Sequence, residues 1–187
     1  MKNINYFIEN YYNNNIQLSK NIIIEILKNI VDENKKVLIF GLGNDSLLWY
    51  KANKEKNIFF VENNSIYIEK NRNIDREYII KYNYKDITVD KSIKNLIDVK
   101  KYKIPKKLLN QKPFDIILID GPEGYSNDSH GRELPFYWSK NFLMHEKTKI
   151  FIDDFNRDLE YELFLKYFGN YKYFYFPERN GFACVFL

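Results

Sequence analysis

Four short apolar runs in this chain each end in residues that can do chemistry. Val37-Leu38-Ile39-Phe40 leads into Gly41-Leu42-Gly43 and then Asn44-Asp45-Ser46; Phe59-Phe60-Val61 stops at Glu62; Phe114 to Ile119 stops at Asp120; Lys149 to Ile152 stops at Asp153-Asp154. A strand, a glycine turn and a helix start make a cradle for a nucleotide-like cofactor. Glycine lets the backbone turn sharply and lets a ligand approach without a Cβ in the way, while amides at the helix start offer donors. Glu62, followed by Asn63, falls about twenty residues further on, where Rossmann-like folds place the acid that grips ribose hydroxyls. A Gly-x-Gly turn alone is equally an ordinary βα connection; its pairing with Glu62 is what favours a cofactor site.

The later acids suit a catalytic edge. Asp120 is followed by Gly121-Pro122-Glu123-Gly124-Tyr125, a carboxylate at a strand end opening into a Gly/Pro loop, which is where reactive groups concentrate. The competing reading is a turn-forming aspartate. His130-Gly131-Arg132 comes next, and Asn156 and Arg157 stand just behind Asp153-Asp154. An arginine such as Arg132 can hold a carboxylate or phosphate on two prongs; its plainer reading is a surface salt bridge.

The elements that must position these residues follow from periodicity. Ser19 is placed to cap a helix carrying Ile22, Ile23, Ile26, Leu27 and Ile30 and ending near Asp32 to Asn34, so residues 1–34 read as an N-terminal helical cover. Helix 45–54, strand 57–61, helix 65–72 and strand 78–82 give a βαβαβ alternation. Residues 91–111 read as irregular, then come strand 114–119, helix 135–145, strand 149–152, helix 158–168 and a terminal hairpin over 171–176 and 182–187. The fold class is α/β, Rossmann-like: a mostly parallel sheet flanked by helices, closed by a C-terminal β-hairpin, in one domain spanning residues 1–187, with its ligand site beyond the carboxyl ends of the strands.

Composition narrows the class. The chain has 187 residues, 45% of them apolar and 18% aromatic, which is ample for a core and argues against disorder. A net charge of +4 permits an anionic partner without demanding one. The lysines around Tyr102, from Lys100 to Lys107, are the one candidate nucleic-acid stripe, and read better as a solvated face. The single cysteine, Cys184, excludes a disulfide framework and a cysteine zinc site and fits a reducing compartment. With no signal-like or membrane-spanning apolar segment, the expectation is a soluble, cytoplasmic protein.

Taken together, IFGLGNDSLLW, FFVENN, FDIILIDGPEGY, HGRELPFYWS and IFIDDFNR resemble successive signature blocks of the polysaccharide-biosynthesis methyltransferases that include plant glucuronoxylan 4-O-methyltransferases, from about Lys35 to Pro177. The resemblance implies a class I S-adenosylmethionine-dependent O-methyltransferase. It carries cofactor binding to Gly41, Gly43, Asn44, Asp45, Ser46, Glu62, Asn63 and Asp120, catalysis to Asp120 and Asp154 with His130 as a reserve base, and substrate binding to Tyr125, Arg132 and Arg157. Asn44 and Asp153 stand where the plant proteins have histidine, and Gly121 where they have alanine. These differences, with the missing anchor and cysteines, carry the resemblance to sugar-hydroxyl methylation rather than to xylan itself.

The expected reaction moves a methyl group to a hydroxyl of a uronic acid or other saccharide, using one of the strand-end acids as base. A divalent metal on Asp120, Asp154 and Asn156 is the second scheme, since hard oxygen ligands suit magnesium or manganese. Arg132, Arg157 and the lysines near Tyr102 give the acceptor side an expected positive character, and Tyr125, Phe136, Tyr137 and Trp138 either stack on a sugar or fill the core. The alternatives are an RNA methyltransferase, an NAD-binding oxidoreductase, whose fingerprint would carry a third glycine or an alanine where Ser46 stands, and an inactive cofactor-binding partner protein.

Overall fold

The computed structural model describes residues 4–31, 34–54 and 57–186. Two helices, α1 (Ile4–Tyr11) and α2 (Lys20–Ile30), precede an alternation of β1 (Val37–Phe40), α3 (Ser46–Ala52), β2 (Ile58–Glu62), α4 (Ser65–Lys70) and β3 (Ile79–Lys81). There follow α5 (Val89–Ile93), α6 (Lys106–Gln111), β4 (Ile116–Ile119), α7 (Glu133–Trp138), β5 (Lys149–Asp153), α8 (Asp158–Phe168), β6 (Lys172–Phe176) and β7 (Phe182–Phe186). Ser19 caps α2 by accepting the Ile22 N–H. The helix stops at Ile30; of the end expected near Asp32 to Asn34, Asp32 and Glu33 lie outside the described residues, as does Leu187 at the end of the hairpin.

Within the helical cover expected over residues 1–34 a separate helix, α1, buries Phe7 and Ile8 and packs Ile4 and Tyr11 beside them, the i, i+3, i+4, i+7 spacing of one helix face. Two local expectations change. The stretch read as irregular contains the short helices α5 and α6. The helix expected over 135–145 is α7 running into a π-helical turn, Ser139–Leu143.

The sheet has seven strands in the order β3-β2-β1-β4-β5-β7-β6. The first five are parallel, while β7 runs antiparallel between β5 and β6. Helices α1 to α4 pack with alternate strand residues such as Val37, Ile39, Ile116 and Leu118 on one face. Helices α5 to α8 pack with Leu38, Phe40, Ile117 and Ile119 on the other. Burial on both faces is why β1 and β4 read as unbroken apolar runs rather than as alternation. Chain order reverses between β1 and β4, and a crevice opens at the carboxyl ends there.

Register sets the chemistry. Phe40 pairs with Val61 and with Ile119, and Ile119 pairs with Ile152. The residues one step further on, Gly41, Glu62, Asp120 and Asp153, therefore form a row along the sheet edge. Because strand side chains alternate with period two, Glu62 and Asp153 share the face of Phe60 and Phe151, the face that α1 to α3 cover.

Candidate active site

A cavity of about 370 Å³ lies along this row. It is lined by Gly41 to Asp45, Glu62, Asn63, Asp120 to Glu123, Tyr125, Asp153, Asp154 and the arginines 132, 157 and 179, with Asn15, Gln17 and Leu18 from the segment between α1 and α2. That volume is within the usual small-molecule range.

At the β1/β2 end the backbone does the shaping. Gly41 has φ +114°, and a Cβ on Gly121 would fall 2.7 Å from the Gly41 Cα. The two loops touch back to back, so this packing leaves no room for a Cβ at Gly121. Glu62 is buried and accepts the Leu42 N–H at 2.7 Å and the Asn64 N–H at 2.6 Å, which ties the glycine turn to β2. Burial raises its pKa against the lowering effect of those amides. A carboxylate oxygen accepts more than one hydrogen bond, so both oxygens keep capacity for a diol. Asn63 and Asp45 also line the cavity. Burial first, and then the Asp153 charge, push Asp45 up to about 6.

The β4/β5 end is built from charge. Arg132 is 2% exposed. It donates to the Pro122 carbonyl (3.0 Å), the Asp153 carbonyl (2.8 Å), the Asp120 carbonyl (3.2 Å) and Asp154 Oδ2 (2.9 Å), with Glu160 Oε1 3.6 Å from its Nε. Burial opposes its charge, but Glu160, Asp120, Asp154 and Asp153 outweigh that and hold the guanidinium above its ordinary pKa. Asp154, at φ +56°, also receives Arg157 at 2.8 Å and Asn180 at 2.9 Å. Burial raises its pKa, yet Arg132, Asn180 and Arg157 together bring it below the ordinary carboxylate value. Asp120 is the opposite case: desolvation, Asp153 and Asp45 lift it well above that value against the pull of Arg132.

Several site residues read from the sequence therefore change role. Asp154 is a poor proton acceptor because two guanidiniums already hold it charged. Arg132 is neither a surface salt bridge nor an open substrate clamp; it is a buried hub whose donors are engaged. Arg157 lines the cavity but is bound to Asp154 and to the Glu123 carbonyl at 3.0 Å. His130 does not line the cavity: its ring packs near Tyr84 and its carbonyl accepts the Gly124 N–H. Ser46 is buried outside the lining, its Oγ accepting the Gly43 N–H at 2.8 Å, so it shapes the turn that Gly43 and Asn44 present. The Asn44 side chain donates to the Asn15 carbonyl. Asn156 is exposed, accepts from the Tyr175 hydroxyl and does not line the cavity.

The expected positive character is not what the cavity shows as a whole: six carboxylates and three guanidiniums line it, and no lysine of the Lys100 to Lys107 run does. The Tyr102 hydroxyl in that run donates to Asp86 at 2.9 Å. Of the aromatic candidates, Phe136 and Trp138 are fully buried in the core, whereas Tyr125, on the cavity rim, is 75% exposed. Cys184 is buried in β7, and burial pushes its thiol up to about 12, which leaves it unreactive. Asp153, Arg179 and Gln17 complete the site. Asp153 was within reach of sequence reasoning, since it shares the period-two face of Phe151; Arg179 and Gln17 carry no such signal.

No family model matches the chain. It is 29% identical over 148 residues to glucuronoxylan 4-O-methyltransferase 1 of Arabidopsis thaliana, covering 66% of this chain and 51% of the relative. It is 28% identical over 162 residues to glucuronoxylan 4-O-methyltransferase 2 of the same plant, covering 74% and 56%. The chain thus spans about half the length of the curated relatives it matches. Among solved structures, an O-methyltransferase from Bacillus cereus in complex with SAH superposes with a TM-score of 0.54 at 12% identity, covering 98% of this chain and 88% of that one. The fold is that of the class I S-adenosylmethionine-dependent methyltransferases. Among the described residues no helix is long and apolar enough to cross a membrane.

Proposed function

We propose that this chain is an S-adenosylmethionine-dependent O-methyltransferase acting on a saccharide hydroxyl, with a uronic-acid-bearing glycan as the acceptor class. The observation that carries the reading is the row Gly41, Glu62, Asp120, Asp153, which puts a buried acid beside the glycine turn at one end of a single cavity, suited to a ribose diol, and a carboxylate of raised pKa towards the other. The similarity to plant sugar O-methyltransferases supports the acceptor class, and the SAH-bound neighbour supports the cofactor.

S-adenosylmethionine supplies a methyl group on a sulfonium, which an alcohol oxygen displaces in line. The residues of the chain do the rest. Glu62 accepts from the ribose diol, Asn63 borders it, and Asp45 faces the cationic end of the cofactor. A neutral alcohol is a weak nucleophile, so its proton needs an acceptor and its oxygen must be held roughly 3 to 3.5 Å from the reacting carbon. Asp120 fits that task because its raised pKa makes the carboxylate more basic, and Tyr125 offers an exposed ring at the rim for a sugar face.

One carboxylate oxygen from each of Asp120, Asp153 and Asp154 lies within 4.8 Å of the other two. As a hard-oxygen set they fit a divalent cation in part, because the arginines occupy Asp154 and leave Asp120 and Asp153 as the open ligands; a cation there would acidify a coordinated hydroxyl. Full turnover in excess chelator would exclude this second scheme. The test of the main reading is transfer of a radiolabelled methyl group to uronic-acid oligosaccharides, nucleotide sugars and RNA. Label in the uronic-acid oligosaccharides is the expected result, and label in RNA with none in any carbohydrate overturns the acceptor class.

A further inference from the structure

Of the three arginines that line the cavity, Arg132 and Arg157 are bound to Asp154, and the third is held by weaker partners. Arg179 sits in the turn between β6 and β7 at φ +55° and lines the cavity. The turn is fastened on every side. Glu178 accepts from Ser19 and Asn21, Asn180 donates to Asp154 Oδ1 at 2.9 Å and accepts the Asn156 N–H at 2.8 Å, and Gly181 accepts the Phe155 N–H at 2.9 Å. The backbone of Arg179 is thereby placed, while its head group is held more loosely. Its side chain is 33% exposed; among the described residues it donates one hydrogen bond, from Nη2 to Gln17 Oε1 at 2.8 Å, and makes one long ion pair, with Asp153 Oδ2 3.9 Å from Nη1.

A neutral amide oxygen is a weaker partner for guanidinium than a carboxylate, which binds on two prongs. An anion entering this cavity also meets more carboxylates than guanidiniums, and the other two arginines are already neutralised by Asp154 and its neighbours. We infer that Arg179 is the specificity-determining residue that receives the acceptor's carboxylate, exchanging Gln17 for the uronate as the sugar docks against Asp120 and Asp153. This rests on the saccharide reading above and identifies which residue selects a charged sugar over a neutral one.

The test uses the full chain with SAH bound. Calorimetric titration compares a glucuronate-bearing xylo-oligosaccharide with the same oligosaccharide after reduction of its carboxyl group. Wild type should prefer the charged ligand by ~10–100-fold, the range for a hydrogen bond to a charged group. Arg179→Gln should abolish that preference, and Arg179→Lys should restore part of it, since the charge returns without the planar fork. An undiminished preference in Arg179→Gln overturns the inference, as does equal binding of both ligands by wild type. So does an unchanged preference with weakened SAH binding, which would assign Arg179 to the cofactor's own carboxylate. A preference lost on substitution, in a wild-type protein that transfers no methyl group to either ligand, would break the proposed reaction alone and leave the recognition role standing.

Discussion

At the β1/β2 end of the cavity, shape comes from main chain: Gly41 and Gly121 in back-to-back contact, and the Leu42 and Asn64 amides on Glu62. At the β4/β5 end it comes from charged side chains, with Arg132 buried among Asp120, Asp153, Asp154 and Glu160. Backbone amides do not titrate and are held in place by the chain, so the first end is a fixed receptor. The second end is a set of competing ion pairs, in which each carboxylate's chemistry depends on which arginine reaches it. Asp154 and Asp120 sit at neighbouring strand ends, yet the first is held below and the second lifted above the ordinary carboxylate pKa.

The largest separation of the two ends is kinetic. Asp120→Asn should lower turnover by about 10²–10⁴-fold, the usual contribution of a positioned base, while SAH affinity measured by calorimetry stays within a few-fold. In wild type the acid limb of the pH–rate profile should lie above the ordinary carboxylate range, because only ionised Asp120 takes the proton. A profile flat through that range would contradict the assignment.

Stability gives the next contrast. Arg132→Met strips the buried acids of their shared partner, and breaking a buried ion pair from one side costs about 3–5 kcal/mol; a shifted urea midpoint reads it. Arg157→Gln should cost less than about 1 kcal/mol, because its side chain is partly exposed and Arg132 still holds Asp154. Equal losses in the two variants would mean that Arg132 is not the hub.

One buried acid beside the glycine turn also makes stability fall with pH. The Asp45 carboxyl ionises in the unfolded chain near its ordinary value of 3.8 but in the folded chain only at about 6. Below the lower value both states are protonated and the group contributes nothing. Between the two the unfolded state alone releases the proton, and the resulting loss is complete above the upper one. At 1.36 kcal/mol per unit that amounts to about 3 kcal/mol at most. Urea midpoints for wild type and Asp45→Asn at either end of this window should diverge, with the variant relatively more stable at the higher pH. Parallel slopes would remove Asp45 from the cluster.

The same contrast explains what could be read from residues alone. The β1/β2 end was legible because glycine spacing and a strand-terminal acid are local signals, and strand runs such as Ile116–Ile119 and helix α8 emerged close to their expected bounds. Helix α1 carries its period in Ile4, Phe7, Ile8 and Tyr11, but over only two turns set among asparagines. At the β4/β5 end the sequence supplied the right acids and arginines but not their pairing. Arg132 reaches Asp154 across 22 positions, and only that contact turns a candidate clamp into a hub and a candidate base into an anchor. Arg179 enters from a hairpin turn that pairing β7 with β5 carries back to the cavity; nothing in its neighbours along the chain signals that return.

The central claim is that one cavity holds S-adenosylmethionine at its backbone-built end and performs transfer at its charged end. Calorimetric titration with SAH and with NAD tests it most directly, on wild type, Glu62→Gln and Asp120→Asn. SAH should bind wild type and Asp120→Asn alike and bind Glu62→Gln about 10–100-fold more weakly, as loss of a charged hydrogen-bond acceptor implies, with no binding of NAD. Binding of NAD without SAH, or SAH affinity that depends on Asp120 but not on Glu62, would contradict the account.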